Sequence, residues 1–136
     1  MANFARRQTL MAGLGTVSAF ILGPREEALA AVGDETKIAE GVTVKTLGEG
    51  KSMIQGYPKV RLRELTVQPG SSFPLLPMKN NMVCHMAEGE LQIDQGDMKF
   101  TVKKGDVWTC IPGGKEGGSN SGSTVAVMRI SDLLTT

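Results

Sequence analysis

Apolar residues along this chain come in short runs that alternate with polar residues, a pattern typical of β-strands with one buried face. The clearest run is Met98, Phe100 and Val102, where single polar residues separate the apolar ones. Turn residues such as Pro69-Gly70 and Gly105-Asp106 interrupt the runs at short intervals. Nothing between residues 31 and 131 sustains a 3.6-residue period over three turns. We therefore predict an all-β barrel or sandwich of seven to ten short antiparallel strands.

Several details of the pattern lead to local expectations. Gly48-Glu49-Gly50 predicts a turn after a strand that begins at Val42. The apolar phase slips by one at Arg63-Glu64, which predicts a β-bulge or a strand that changes face. Residues 113–122 (GGKEGGSNSG) have the composition of a flexible loop. Residues 132–134 predict a short helix or a frayed tail.

The first 30 residues have the features of an export signal. Arg6-Arg7 precedes a modestly apolar stretch at residues 10–22, and Ala28-Leu29-Ala30 provides the small residues that signal peptidase requires. Paired arginines before a weakly apolar, glycine-containing stretch are typical of a twin-arginine (Tat) signal, although Ala5 and Thr9 depart from the usual pattern. We expect Tat export to the periplasm or beyond, with a signal at residues 1–30, a polar lead-in at 31–41 and a barrel at 42–136. An ordinary secretory signal or an uncleaved anchor is the alternative.

Charge and hydropathy restrict the partners of the mature protein. Removal of residues 1–30 leaves equal numbers of basic and acidic residues, without a basic block. Nucleic acid is therefore not an expected partner. No later apolar run approaches the length of about 20 residues that a membrane span needs, so we expect no stable span in the mature form.

The order of turns between Val60 and Ile130 resembles the two motifs of the cupin superfamily. The first motif is matched by Pro69-Gly70 and by Gly89, and the second by Gly105-Asp106 and Pro112-Gly113-Gly114. The second motif is one residue longer than usual before its proline. The resemblance implies a small jelly-roll β-barrel. It also makes a homodimer one of the assemblies to consider, because small cupins commonly dimerise.

The metal ligands of the resembled family are missing at the matching positions. The family's glutamate position falls on Met82, and its first two histidine positions fall among residues 75–78. Its third histidine position falls on Gly117. The chain has a single histidine, His85, whereas a mononuclear site needs about three converging imidazole or carboxylate ligands. We therefore expect no cofactor, no family-type metal and no catalytic residues.

Soft side chains cluster where the family's ligands would converge. On an extended strand Met82, Cys84 and Met86 share one face, while His85 points to the other. The resemblance places Met82 at the family's inward glutamate position, which implies that this face lines the barrel cavity. The predicted cavity lining consists of Leu75, Met78, Met82, Cys84, Met86 and Trp108. Core packing is the simplest interpretation of this set, since methionine fills irregular gaps.

Three functional hypotheses follow. The first is an exported, metal-free protein that binds a small apolar ligand or a partner protein in or on the barrel. The second is soft-metal binding, with copper suited to thioether and thiolate ligands, or a redox role for Cys84 with Cys110 or His85. The third is an accessory subunit of an exported enzyme complex. Whether Cys84 and Cys110 form a disulfide depends on their separation, which the sequence leaves open.

Overall fold

A computed structural model describes residues 32–136 of the chain. These residues form ten β-strands and no helix: β1 Glu35–Ala39, β2 Val42–Lys51, β3 Lys59–Val67, β4 Ser72–Pro77, β5 Asn81–Glu88, β6 Glu90–Asp94, β7 Lys99–Lys103, β8 Val107–Cys110, β9 Lys115–Ser119 and β10 Ala126–Leu134. The strand pairings are all antiparallel. The predicted all-β class and strand number are confirmed.

The strands form two sheets that enclose one core. The larger sheet has the order β1-β2-β3-β10-β5-β8, and the smaller one the order β4-β9-β6-β7. Neighbours such as β3, β10 and β5 are distant in sequence, which gives the jelly-roll arrangement. The core side chains are Val42, Leu65, Val67, Phe73, Met82, Cys84, Met86, Leu91, Ile93, Val102, Cys110, Ala126, Met128 and Ile130.

Alternation of side chains explains which residues reach this core. In β5, Met82, Cys84 and Met86 are buried, whereas Val83 and His85 are exposed. Such a period of two is what an extended strand with one buried face requires.

The expected turn at Gly89 has a positive φ of 76°, and an added Cβ there would lie 2.7 Å from the Val125 carbonyl oxygen. Gly89 thus allows a tight connection that other residues would strain.

The expected turn at Gly48-Glu49-Gly50 is wrong, and the bulge expected at Arg63-Glu64 lies on the neighbouring strand β2, opposite Arg63 and Leu62. Strand β2 continues to Lys51, because a bulge between Thr46 and Gly48 shifts its register with β3 without ending the pairing. Strand β3 pairs with β10 without any shift of register and does not change face. Arg61 and Arg63 point inward, next to the fully buried Asp132, so a charged pair occupies positions where apolar residues were expected.

Two expectations near the C-terminus are also wrong. Part of the glycine-rich stretch forms β9, in which Glu116, Gly117 and Gly118 are all buried. Glycine is required there by close packing, since a Cβ on Gly117 would lie 2.9 Å from the Leu75 backbone nitrogen. The residues around Asp132 belong to β10 instead of a helix or tail, because their backbone pairs with both β3 and β5.

The lead-in at 31–41 contains strand β1, whose side chains are almost all exposed. An exposed edge strand carries little apolar alternation, so its sequence pattern is weak.

No helix within residues 32–136 has the length and hydropathy needed to cross a membrane. The expected export signal and its cleavage after Ala30 lie outside the described residues.

Candidate functional site

Two thiols and a carboxylate meet inside the barrel. Ligand atoms of Cys84, Cys110 and Glu116 all lie within 4.8 Å of one another. All three residues are buried, and Glu116 is only 3% exposed. We call this set the thiol–carboxylate cluster. Cysteines are often buried, but a buried carboxylate such as Glu116 is rare unless it is paired or bound to a ligand, so the cluster is the first candidate for a functional site.

Strands of both sheets position the cluster. Cys84 and Cys110 lie on the neighbouring strands β5 and β8 of the larger sheet, where Cys110 is opposite Met82 and Cys84 is opposite Trp108. Glu116 comes from β9 of the smaller sheet. The connection between Cys110 and Glu116 reverses the chain at Gly113, which has a positive φ of 88°. This short return brings the two side chains face to face across the interior.

The two oxygens of the Glu116 carboxylate differ in their bonding to residues 32–136. Its Oε1 accepts hydrogen bonds from Gln95 Nε2 at 2.9 Å, Trp108 Nε1 at 3.2 Å and Cys110 Sγ at 3.0 Å. Within residues 32–136, its Oε2 accepts no hydrogen bond. A buried carboxylate normally uses both oxygens, so the free oxygen indicates room for a further partner.

The cysteines are free thiols in this structure. A hydrogen bond with Cys110, burial, and the nearby charge of Glu116 raise the pKa of the Cys84 thiol far above its ordinary value, while Arg63 opposes them. Cys84 is therefore a neutral thiol at physiological pH. A thiol in this state is a poor nucleophile, which argues against catalysis by Cys84 alone.

A second charged group, the guanidinium–carboxylate cluster, lies beside the first. Arg63 donates to both oxygens of Asp132, at 2.6 and 2.8 Å, and Arg61 donates to one of them at 3.0 Å. Asp132 is fully buried, whereas the two arginines are partly exposed. Arg63 also contacts the Met82 sulfur at 3.5 Å. This bidentate geometry satisfies the buried carboxylate completely.

A cavity of about 90 Å³ lies between the two clusters. Its walls are mostly apolar, and Arg63, Cys84 and Glu116 supply the polar groups. The lining residues are Ile38, Val44, Arg63, Leu65, Phe73, Leu76, Met78, Met82, Cys84, Glu116, Met128 and Ile130. Pockets for drug-sized ligands usually measure about 300–1,000 Å³, so this cavity suits an ion or a molecule of a few atoms.

The predicted lining residues take different positions. Met78, Met82 and Cys84 line the cavity. Leu75 does not: it is 40% exposed and lies in a separate surface groove, because a register shift in β4 displaces it. Met86 is buried in the core away from the cavity, and Trp108 packs edge-on against Phe100 while donating to Glu116.

The imidazole ligands of a family-type metal site are not present at this cavity. His85 is exposed on the outer face of β5, and Met82, which the resemblance matched to the family's glutamate, is buried on the inner face. Sequence reasoning missed Glu116, which adjoins the expected third histidine position at Gly117. The extra residue in the second motif was the available signal. A shift of one residue to allow for it moves the third histidine position from Gly117 to the carboxylate of Glu116.

Comparison with known proteins supports the fold alone. No family model and no curated protein matches the sequence. Among solved structures, an RmlC-like cupin from Shewanella frigidimarina superposes with a TM-score of 0.58 at 14% identity, covering 73% of this chain and 81% of that one. The Schizosaccharomyces pombe Cnp3 cupin domain gives a TM-score of 0.60 at 17% identity, with coverages of 74% and 68%.

This protein has a cupin fold. KdgF from Halomonas sp. is a third similar structure, with a TM-score of 0.58 at 10% identity over 74% of this chain and 87% of that one. At such low identities the shared barrel does not transfer a substrate or a partner. The chemistry of this cupin fold has to be argued from the residues inside it.

Proposed function

We propose that this protein is an exported cupin-fold metal-binding protein, which holds a thiophilic ion at Cys84, Cys110 and Glu116. The observation that carries the proposal is the convergence of three potential ligand atoms within 4.8 Å in a buried site. Two thiolates and a carboxylate supply the minimum donor set for a specific transition-metal site.

The surroundings of the cluster support metal binding. Gln95 and Trp108 donate to Oε1 of Glu116, and such bonds orient a carboxylate ligand and limit its rotation. Metal binding has to displace the proton that the Cys110 hydrogen bond and burial hold on Cys84 by raising the pKa of its thiol, so metal affinity should increase with pH. Cys110 Sγ donates to Oε1 of Glu116 at 3.0 Å, so two of the three proposed ligands are already in contact.

Metal titration of reduced apoprotein, followed by native mass spectrometry, tests the proposal. We expect one ion per chain for the wild type, and loss of binding in Cys84→Ala and Cys110→Ala. His85→Ala is the matched control, because its imidazole is exposed on the opposite face of β5. Absence of stoichiometric binding by the wild type, or equal loss in His85→Ala, would contradict the proposal.

Binding of a small apolar molecule is the second candidate, favoured by the largely apolar walls of the 90 Å³ cavity. Xenon is a suitable probe, since buried apolar cavities can accept it. Xenon-induced chemical-shift changes confined to Met78, Met82 and Ile130, in a protein that takes up no metal, would favour this alternative. A partner protein, or a role as accessory subunit, would instead appear as co-purification from the native compartment.

Export is part of the proposal and rests on Arg6-Arg7 and on Ala28-Leu29-Ala30. Tat export would allow the protein to fold in the cytoplasm before it crosses the membrane. The Arg6→Lys, Arg7→Lys double variant should remain as a folded precursor, while the wild type should yield a mature chain beginning at Ala31. Unimpaired export of the double variant would exclude the Tat route.

A further inference from the structure

The charged side chains next to the cavity restrict the charge of the ion that the site can hold. Arg61 and Arg63 carry two positive charges, and Asp132 carries one negative charge, so the guanidinium–carboxylate cluster has a net charge of plus one. Glu49 lies 4.0 Å from Arg61, but it also lies 3.9 Å from Lys59. The charges of Glu49 and Lys59 cancel, so they leave the net charge of the guanidinium–carboxylate cluster unchanged. Among residues 32–136, Glu116 and Asp132 are the buried charged side chains.

The thiol–carboxylate cluster has the complementary charge only with a divalent ion. When both thiols lose their protons to solvent, Cys84, Cys110 and Glu116 carry three negative charges. A divalent ion leaves minus one, which cancels the neighbouring plus one, whereas a monovalent ion such as Cu(I) leaves an uncompensated negative charge. An uncompensated charge in a low-dielectric interior is costly.

The donor set favours the same choice. A carboxylate oxygen suits a borderline divalent ion better than Cu(I), which prefers thiolate and thioether sulfur. One oxygen of Glu116 receives no hydrogen bond from the described part of the chain, and its side chain lines the cavity. Three protein ligands leave one position of a tetrahedral ion open, as in sites that retain a water molecule.

On the premise that the proposed metal function is correct, we infer that the site is built for a divalent ion of zinc's class, with its fourth position open to the 90 Å³ cavity. Cys84, Cys110 and Glu116 are the protein ligands. Arg63 provides the compensating charge without binding the ion. A small neutral donor such as water fills the fourth position.

The test uses the mature wild-type protein, titrated anaerobically with Zn²⁺, with Co²⁺ as a spectroscopic substitute and with Cu(I). We expect intense visible cobalt bands of a four-coordinate thiolate site, which Zn²⁺ then abolishes. We also expect zinc to be the stoichiometric metal in protein isolated from its native compartment. Copper in that protein, or six-coordinate cobalt spectra, would overturn the inference and leave the proposed metal function intact.

The variant Glu116→Gln distinguishes a site for a divalent ion from a site for a monovalent ion. Glutamine keeps the shape and the hydrogen-bonding oxygen of the side chain but removes one negative charge. Zn²⁺ affinity should fall by roughly tenfold or more, while Cu(I) affinity should stay the same or rise. Glu88→Gln, an exposed carboxylate 60% accessible on the same molecule, is the control and should change neither affinity.

Unchanged Zn²⁺ affinity in a folded Glu116→Gln protein would overturn the inference. Equal weakening of both ions would do the same. If the variant does not fold, the wild-type cobalt spectrum and native metal content still decide the inference. Failure of every metal to bind the wild type would instead remove the proposed function itself.

Discussion

The two polar clusters inside this barrel are both organised around a buried carboxylate, yet their bonding differs. Asp132 receives hydrogen bonds on both oxygens from permanently charged arginines. Glu116 receives three bonds on one oxygen from uncharged donors, and no bond from residues 32–136 on the other. The first cluster is therefore complete without a ligand, whereas the second has capacity left over. Incomplete bonding, and not burial alone, distinguishes the candidate site from a structural ion pair.

The largest effect is expected at the complete cluster. Asp132→Ala leaves two guanidinium groups without their buried counter-charge, which should cost about 3–5 kcal/mol in the free energy of unfolding. Denaturant titration measures this change. Glu64→Ala is the matched control, because Glu64 pairs with Arg129 at 3.0 Å on the exposed face of the same two strands and should cost at most about 1 kcal/mol. Similar costs for the two variants would show that the Asp132 cluster is not structurally important.

The next effect concerns how closely β9 approaches β4, since this distance positions Glu116. A Cβ on Gly117 would lie 2.9–3.0 Å from backbone atoms of Phe73, Pro74 and Leu75. Gly117→Ala should therefore destabilise the protein by about 1–3 kcal/mol and weaken metal binding. At Gly122 the nearest atom is the Asn120 side-chain oxygen at 3.4 Å, so Gly122→Ala should stay within about 0.5 kcal/mol. Equal tolerance at both positions would contradict the described strand packing.

The stability of the apoprotein at alkaline pH should report the raised pKa of the Cys84 thiol. Because the pKa of Cys84 is raised in the folded state, the unfolded chain releases this proton first as the pH rises. The free energy of unfolding should therefore fall above about pH 8.5, by up to about 1.4 kcal/mol per pH unit. Comparing denaturation of wild type and Cys84→Ala between neutral pH and pH 10 measures this slope. A slope that persists unchanged in Cys84→Ala would assign the dependence to other groups.

The sequence predicted the parts of this molecule that alternation and turn chemistry determine. The inward face of β5, with Met82, Cys84 and Met86, follows from a period of two, and the turns at Gly89 and Gly105 follow from their composition. Both kinds of signal are local. The strand count and the all-β class depend on them and could be predicted, whereas the jelly-roll barrel was implied by the resemblance to cupins.

The interior polar groups could not be predicted in the same way, because their pairing partners lie far along the chain. Arg61 and Arg63 look like solvent-facing residues until Asp132, about 70 positions later, is placed on the neighbouring strand. Glu116 lies in a glycine-rich stretch whose composition suggested a loop, although the glycines are there to admit a close backbone approach. The candidate site therefore depends on contacts between residues that are distant in sequence, and a local sequence pattern does not predict such contacts.

The smallest effect should come from Met82, which lies between the two clusters. Its Cα partners are Cys110 on one side and Asp132 on the other, and its sulfur is 3.5 Å from Arg63 Nη2. Met82→Leu preserves volume and apolar character, so it should cost about 1 kcal/mol or less in denaturant titration. Zn²⁺ affinity should remain unchanged, since Met82 is not among the three proposed ligands. A large loss of metal affinity at preserved stability would instead make the Met82 thioether a ligand, and would move the donor set toward the softer Cu(I) hypothesis.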